Sequence, residues 1–216
     1  MSKLTFSTLN LDSLTQVVTL TEQEGVNHNW THIKDVSLTE DEQRRVQEIQ
    51  NSIGAEPIHL MNEATIWARA IYPLLMLAEQ GSIRAWGEVS LNTVYPTFEL
   101  DGIADGVLGK SVAGRLKSPY LVVVETKRGI EAQNPLIQLY EQLLAAAHLN
   151  WKTNHHDPQV VFGCYTIADS WTFVRAEVMG METDKPSLTI EISKEYTEKV
   201  DASTILKLLK QIVAYY

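Results

Sequence analysis

The order of apolar and polar positions along the chain predicts alternating strands and helices. Residues 121–124 (LVVV) are apolar and mostly β-branched, and Pro119 and Gly129 flank them, which is typical of a short strand buried on both faces. Five further strands are predicted, at residues 82–95, 98–109, 160–167, 171–178 and 187–193. Residues 109–118 are rich in small and cationic residues and predict a mobile connecting loop.

Helical periodicity and capping signals predict two helices before the central strand. Thr39 with Glu42 three residues later is a capping-box pattern, and it predicts a helix to about Ile53 that lies on the outside of the domain because it is mostly polar. Residues 62–80 are apolar around much of a helical circumference and predict a helix packed on the sheet. Pro73 predicts a kink there, or the start of a second segment.

Two more helices are predicted after the central strand. Asn134-Pro135 is a helix start, and the residues that follow place Leu139 and Leu143 on an apolar face that covers the sheet. The opposite, polar face is predicted to carry Gln138, Glu141 and Gln142. The last helix begins at about Ser203.

Length and composition predict one domain of the α/β or α+β class over residues 1–216. Residues 1–58 are interpreted as a mostly helical N-terminal extension, in which residues 1–36 are weakly specified. The chain is 44% apolar and 21% charged, as in ordinary globular proteins. It has one cysteine, Cys164, and no signal-like start, so we expect a cytoplasmic location. No apolar run approaches the roughly 20 residues of a membrane span.

Candidate chemistry lies at the end of the central strand. Side chains alternate along a strand, so Glu125 and Lys127 point to the same face. Asp105 ends the preceding predicted strand, and neighbouring strands lie about 4.8 Å apart. Two close carboxylates repel one another unless one is protonated or both bind a cation, and hard oxygen ligands suit Mg²⁺ or Mn²⁺. The alternative is an ordinary exposed ion pair at a strand end.

Two other acidic residues and a group of cations accompany this motif. Asp101 competes with Asp105, but the two are about 13 Å apart along a strand and cannot bind one ion. Glu63 either lies near solvent in the first turn of its helix or faces something cationic in the interior. The net charge of −9 argues against nucleic-acid binding over the whole surface. The predicted basic rim for a phosphate backbone consists of Lys110, Arg115, Lys117 and Arg128.

Four features follow one another in the sequence: Glu63 in a helix, ADGVL at 104–108, LVVVETKRG at 121–129, and a helix carrying Gln138. This series resembles the PD-(D/E)xK nuclease superfamily, which has the restriction-endonuclease-like fold. The likeness covers about residues 60–175 and is greatest to nuclease domains of type I restriction subunits and related bacterial proteins. It implies a mixed sheet of four to six strands flanked by helices.

The resemblance also implies DNA cleavage with Mg²⁺ or Mn²⁺. Asp105 and Glu125 would be metal ligands, Lys127 the catalytic lysine, and Glu63 an assisting acid. Ala104 stands where the family name has proline. Gln138 matches the glutamine of the following helix, although Tyr140 comes two residues later and not four. A catalytically inactive binding or assembly module, a homodimer, and a nuclease that requires a partner subunit remain open alternatives.

Overall fold

The computed structural model describes residues 2–6, 10–128 and 135–216. Ten strands are present in this part of the chain, in a seven-stranded sheet of order β2-β10-β9-β8-β7-β6-β3 and a small sheet of order β1-β5-β4. The strands are β1 (Ser2–Thr5), β2 (Thr19–Glu22), β3 (Ile83–Ser90), β4 (Thr93–Val94), β5 (Phe98–Asp101), β6 (Ile103–Val112), β7 (Arg115–Lys127), β8 (Gln159–Ile167), β9 (Ser170–Met179) and β10 (Ser187–Thr197).

The helices lie on both faces of the large sheet, so the described chain is a mixed α/β structure. Hydrophobic clusters on the two faces share no residue: one packs under α2, α4 and α6, and the other under α5 and the small sheet. The helices are α1 (Leu11–Val17), α2 (Glu40–Gly54), α3 (Glu63–Ile66), α4 (Tyr72–Leu77), α5 (Leu136–Asn154) and α6 (Glu198–Ala214). In the described segments, no helix has the length and apolar character needed to cross a membrane.

The central strand β7 is buried as the sequence predicts. Leu121 to Val124 have no exposed surface, and β7 pairs with β6 in antiparallel and β8 in parallel orientation. A parallel pair requires a crossover, which α5 provides. The large sheet has seven strands where four to six were predicted, because Thr19–Glu22 adds an edge strand beside β10. The N-terminal region thus contributes strands to both sheets in addition to its helices.

The strand predicted over residues 98–109 is two strands in two different sheets. The chain leaves the small sheet at Asp101 and enters the large sheet at Ile103. Gly102 lies between them, and a Cβ there would lie 2.1 Å from the Phe6 ring. Close packing of Phe6 on this backbone therefore requires glycine.

The prediction of a loop over residues 109–118 is wrong. Strands β6 and β7 continue through it as a hairpin, with Val112 paired to Arg115. Ala113 and Gly114 form the turn with φ values of 50° and 71°. Two consecutive positive φ values are the requirement of a two-residue type I′ hairpin turn.

The predicted start of one helix is confirmed, and the next predicted helix is divided. Thr39 caps α2, and its reciprocal bonds with Glu42 complete the predicted capping box. The helix predicted at residues 62–80 is divided into α3, a π-helical turn at Trp67–Ile71, and α4, in which Pro73 lies in the first turn. Gly129 and Asn134, which were expected to end the central strand and to precede α5, lie outside the described residues.

The face of α5 that was predicted to be polar is buried at two of its three residues, Glu141 and Gln142. Gln142 faces β7, where it bonds to Glu125, and the small sheet packs against α5 through β4. Tyr95, in the β4–β5 connection, donates its hydroxyl to the Leu144 carbonyl at 2.9 Å. Helix α5 is therefore buried on both sides.

Candidate active site

Asp105 and Glu125 are close neighbours at the adjoining ends of β6 and β7. The paired register of these strands ends with Gly106 opposite Val124, and Asp105 and Glu125 are the next residues beyond it. After burial, the charge of Asp105 is the next cause of the raised pKa of Glu125. The Thr126 N–H donates to Asp105 Oδ2 at 2.6 Å, so a side chain continues the pairing where the backbone ladder ends.

The Glu125 carboxylate is fully buried and bonded at both oxygens. Lys127 Nζ donates to Oε1 at 2.5 Å, and Gln142 Nε2 donates to Oε2 at 2.6 Å. Such charge-assisted bonds offset part of the cost of burying an ion. Lys127 has a partly exposed side chain, so this pair connects the interior with the surface.

The ionisable groups of the site influence one another. Burial, reinforced by the charge of Asp105, raises the pKa of Glu125 to about 7, although the bonds from Lys127 and Gln142 act in the opposite direction. Burial also raises the pKa of Asp105, against the Thr126 bond and the Lys127 charge. Burial would lower the pKa of Lys127, but its bond to Glu125 and the nearby acidic charges raise it overall.

A cavity of about 420 Å³ opens beside Asp105. Glu63, Trp67, Glu88 and Thr126 are among its other lining residues, whereas Glu125 is not. The charges of Glu63 and Glu88 both contribute to the raised pKa of Asp105, after the larger effect of burial. An acidic cavity therefore adjoins the buried pair of Glu125 and Lys127.

Helix α3 is held against the strand ends by close packing of Trp67 on glycine. A Cβ on Gly106 would lie 2.2 Å from Trp67 Cη2, and Gly87 on the adjacent strand also contacts the indole. Asn62 caps α3 by accepting the Thr65 N–H at 2.9 Å, which makes Glu63 the first helical residue. This packing places the half-buried Glu63 at the cavity.

We expect Gly106→Ala to destabilise the protein by about 1–3 kcal/mol, because a methyl group at this position overlaps the Trp67 ring. Urea unfolding monitored by tryptophan fluorescence measures the loss. Gly54→Ala is the matched control, since a Cβ at the end of α2 meets nothing within 4 Å. Equal stability of the Gly106 variant and the wild type would contradict the close packing described here.

Glu88 is an acidic residue of this cavity that sequence reasoning missed. It lies between the pairs Gly87–Gly106 and Val89–Ala104, so the register puts it opposite Asp105. Its φ is 50°, an uncommon backbone conformation for a residue other than glycine. A glutamate between Gly87 and a valine gives no sequence signal for such a conformation, because the pairing of β3 with β6 determines it.

A glutamine of α5 that contacts the site is Gln142, which donates the bond to Glu125. Gln138 is half-buried one helical turn earlier. The assignment of Gln138 to the site stays a prediction. Helical periodicity places Gln142 on the polar face of α5, the helix that follows the strand with Glu125. This polar position was the signal that the sequence offered for Gln142.

The predicted basic rim does not surround the site. Lys110, Arg115 and Lys117 lie on the β6–β7 hairpin, where Lys110 pairs with Lys117. Lys110 is five residues from Asp105, roughly 17 Å along the strand. Arg128 is exposed and follows Lys127 directly, so it is the member of the set that lies close to the site.

Asp101, the rival of Asp105, belongs to a different region. It ends β5 in the small sheet and lines a separate cavity with Thr93 and Lys152. The structure thus separates Asp101 from the Glu125 and Lys127 pair.

Asp105 and Glu125 are the residues of this site that could hold a metal ion. In residues 2–6, 10–128 and 135–216, no group of three or more Asp, Glu, His or Cys residues is arranged to hold a metal ion. Mg²⁺ commonly keeps several waters and is held through one or two carboxylates, so it does not require such a group. Asp105 and Glu125 are two oxygen donors of this kind, and the surplus of acidic charge around them favours a cation.

The fold and site define a mixed α/β protein with a carboxylate–lysine pair at the end of the central strand β7, next to Asp105 of β6. No known protein-family model matches the chain, and no curated protein matches it significantly.

Proposed function

We propose that this protein is a metal-dependent nuclease that hydrolyses DNA phosphodiester bonds, with a restriction-endonuclease-like core. The observation that carries the proposal is the juxtaposition of Asp105 and Glu125 on adjacent strands, with Lys127 bonded to Glu125. The order of these residues in the sequence and the helix-borne Glu63 beside the same cavity add to it.

In this proposal Asp105 and Glu125 hold Mg²⁺ or Mn²⁺, which supplies Lewis-acid polarisation of the phosphate and activation of water when it is bound. Lys127 orients the attacking water or stabilises charge on the phosphate oxygens. Gln142 fixes the Glu125 carboxylate from the interior through the 2.6 Å bond. Glu63 adds negative charge at the cavity.

The test is cleavage by the purified protein of single-stranded, duplex and branched DNA, and of RNA, with Mg²⁺ or Mn²⁺. We expect metal-dependent cleavage that EDTA removes and that Glu125→Gln lowers at least about 100-fold, in the range found when a catalytic group is lost. Absence of cleavage of every substrate, combined with unchanged metal binding in Glu125→Ala, would refute the proposal.

A non-catalytic binding or assembly module is the second candidate. It is favoured by the protein bonds that already occupy both Glu125 oxygens and by the distance of the hairpin cations from the site. A Mn²⁺ titration separates the two candidates. The nuclease predicts millimolar or tighter binding that Asp105→Asn removes, and the module predicts no such binding.

A further inference from the structure

One face of the β6–β7 hairpin carries three cations. Lys110 is paired with Lys117 across the two strands, and Arg115 lies two residues before Lys117. Antiparallel partners, and residues two apart on one strand, project to the same side of a hairpin. All three side chains are exposed. We call the surface formed by Lys110, Arg115 and Lys117 the hairpin face.

The positive charge of the hairpin face is not compensated within the described segments. None of its three side chains forms an ion pair or a hydrogen bond there. Residues 106–124 contain no acidic residue, although the whole chain has 27 acidic and 18 basic residues. Glu79, which precedes β3, accepts the Ala85 N–H and forms an ion pair with Arg84. An anion from outside the chain would supply the missing counter-charge.

The pairing of Lys110 with Lys117 costs stability in the free protein. Like charges directly opposite one another on neighbouring strands destabilise a sheet. Phosphates bound at the hairpin face would offset this repulsion, because each phosphate of a nucleic acid carries a negative charge. The lysine pair is therefore better suited to a protein with a bound polyanion than to the free protein.

The end of the hairpin has a shape that suits a nucleic acid. The register of β3 with β6 ends at Lys110, and that of β8 with β7 begins at Val122. Residues 112–117 consequently lie beyond the paired parts of the neighbouring strands and form a two-stranded ribbon. The major groove of B-DNA admits a two-stranded ribbon, and phosphates border the groove.

We infer that the hairpin face binds the phosphate backbone of duplex DNA, as a second contact apart from the candidate active site. The choice of DNA as the partner rests on the proposed function. Lys110 is roughly 17 Å from Asp105 along the strand, which corresponds to about five base steps of about 3.4 Å. The hairpin face therefore acts on the affinity for DNA and does not touch the reacting groups.

The experiment is a salt titration of DNA binding in EDTA, which prevents metal-dependent cleavage. Fluorescence anisotropy measures the Kd of the full chain for a labelled duplex of about 20 base pairs, long enough to reach both contacts. Two triple variants with the same change in charge are compared with the wild type: the hairpin variant Lys110→Gln/Arg115→Gln/Lys117→Gln and the control variant Lys34→Gln/Lys185→Gln/Lys194→Gln. The control lysines are exposed in other parts of the chain.

We expect the hairpin variant to bind DNA at least about tenfold more weakly than the wild type at about 100 mM salt. The slope of log K against log salt should become shallower by about 2.7, because each lost phosphate contact accounts for about 0.9. The control variant should keep the slope and the affinity of the wild type to within about twofold.

Lys117→Glu gives a readout that a purely structural role of the hairpin would not give. It replaces the like-charged pair with an opposite pair to Lys110, so we expect Tm to rise by about 1–3 °C while DNA binding weakens. Thermal unfolding monitored by circular dichroism measures Tm. Weaker binding together with a lower Tm in both hairpin variants would show that binding is lost with structure, and would overturn the inference.

The remaining outcomes separate this inference from the function on which it rests. Unchanged binding by the triple hairpin variant, equal weakening in the control variant, or no binding of duplex DNA by the wild type would overturn the inference. Binding of polyglutamate but not of DNA at the hairpin face would assign the surface to an acidic protein and overturn the choice of DNA. Binding that depends on the hairpin face without metal-dependent cleavage of any substrate would refute the nuclease and support the inference.

Discussion

If the protein is the nuclease proposed above, replacing Lys127 with methionine is expected to lower DNA cleavage by at least about 100-fold, in the range associated with loss of a positioned catalytic group. Methionine keeps an unbranched stem of the same length, with sulfur in place of Cδ, and lacks the ammonium group. The Lys127 side chain is partly exposed and its ammonium is bonded to Glu125 at 2.5 Å, so this cation links the buried carboxylate to the protein surface. Single-turnover cleavage under saturating Mg²⁺ measures the effect on the chemical step.

The same variant has a second expected effect, on the ionisation of Glu125. Lys127 lowers the pKa of this carboxyl, and burial already raises it to about 7. Without the ammonium group the pKa should rise further, so the carboxyl is protonated at neutral pH and binds Mn²⁺ more weakly. Lys117→Met is the matched control, because it removes an ammonium from the hairpin and leaves the site intact. Equal loss of cleavage in both variants, or in neither, would contradict the assigned role of Lys127.

The part of the site that could be predicted from sequence is set by local rules. The period of two along a strand puts Glu125 and Lys127 on one face, and the ending of two successive strands brings Asp105 beside Glu125. The capping box at Thr39 is likewise a local signal, and the structure contains it. The strand-face and capping predictions depend on residues within a few positions of one another, and the proximity of Asp105 and Glu125 depends on the pairing of two strands that follow one another in the chain.

The parts that sequence reasoning missed depend on what covers an element. Gln142 lies on the polar face of α5, and helical periodicity assigns such a face to solvent. At Gln142 this face packs against β7 of the large sheet, which precedes α5 in the chain, and the small sheet contacts α5 elsewhere through β4. The amide of Gln142 consequently reaches Glu125 in the interior and not water.

Composition was misleading at the β6–β7 hairpin. Small and cationic residues between Gly109 and Ser118 indicate a loop, but the exposed end of a long hairpin tolerates the same residues, since its backbone bonds are made between the two strands. This error matters for function because the loop prediction placed Lys110, Arg115 and Lys117 in a rim around the site. The hairpin carries them at the far end of the strands.

Glu141 provides the largest expected effect on stability. It has no exposed surface, and neither carboxyl oxygen has a hydrogen-bond partner in the described residues. Burial raises the pKa of Glu141 to about 9, so the folded protein carries this group protonated at neutral pH. In the unfolded chain the same carboxyl titrates near its ordinary value of about 4.3.

The sign of the resulting pH dependence follows from the raised pKa. Between about pH 4.5 and 9 the folded state binds a proton that the unfolded state has released, so the free energy of unfolding falls as pH rises through this window. Glu125 and Glu198, whose pKa values are raised to about 7 and about 8 chiefly by burial, act in the same direction. Stability should therefore be greatest at the acidic end of the window.

Glu141→Met should remove the largest single contribution to this slope. Methionine is an unbranched helix former with no ionisable group. We expect the variant to exceed the wild type by on the order of 3 kcal/mol at pH 9, and by much less at pH 5, because one pKa unit corresponds to about 1.4 kcal/mol. Urea unfolding at pH 5, 7 and 9 measures the difference, with Glu24→Gln as the exposed control. A constant difference at all three pH values would mean that Glu141 is ionised in the folded protein and that a cation or an unrecognised donor pairs with it.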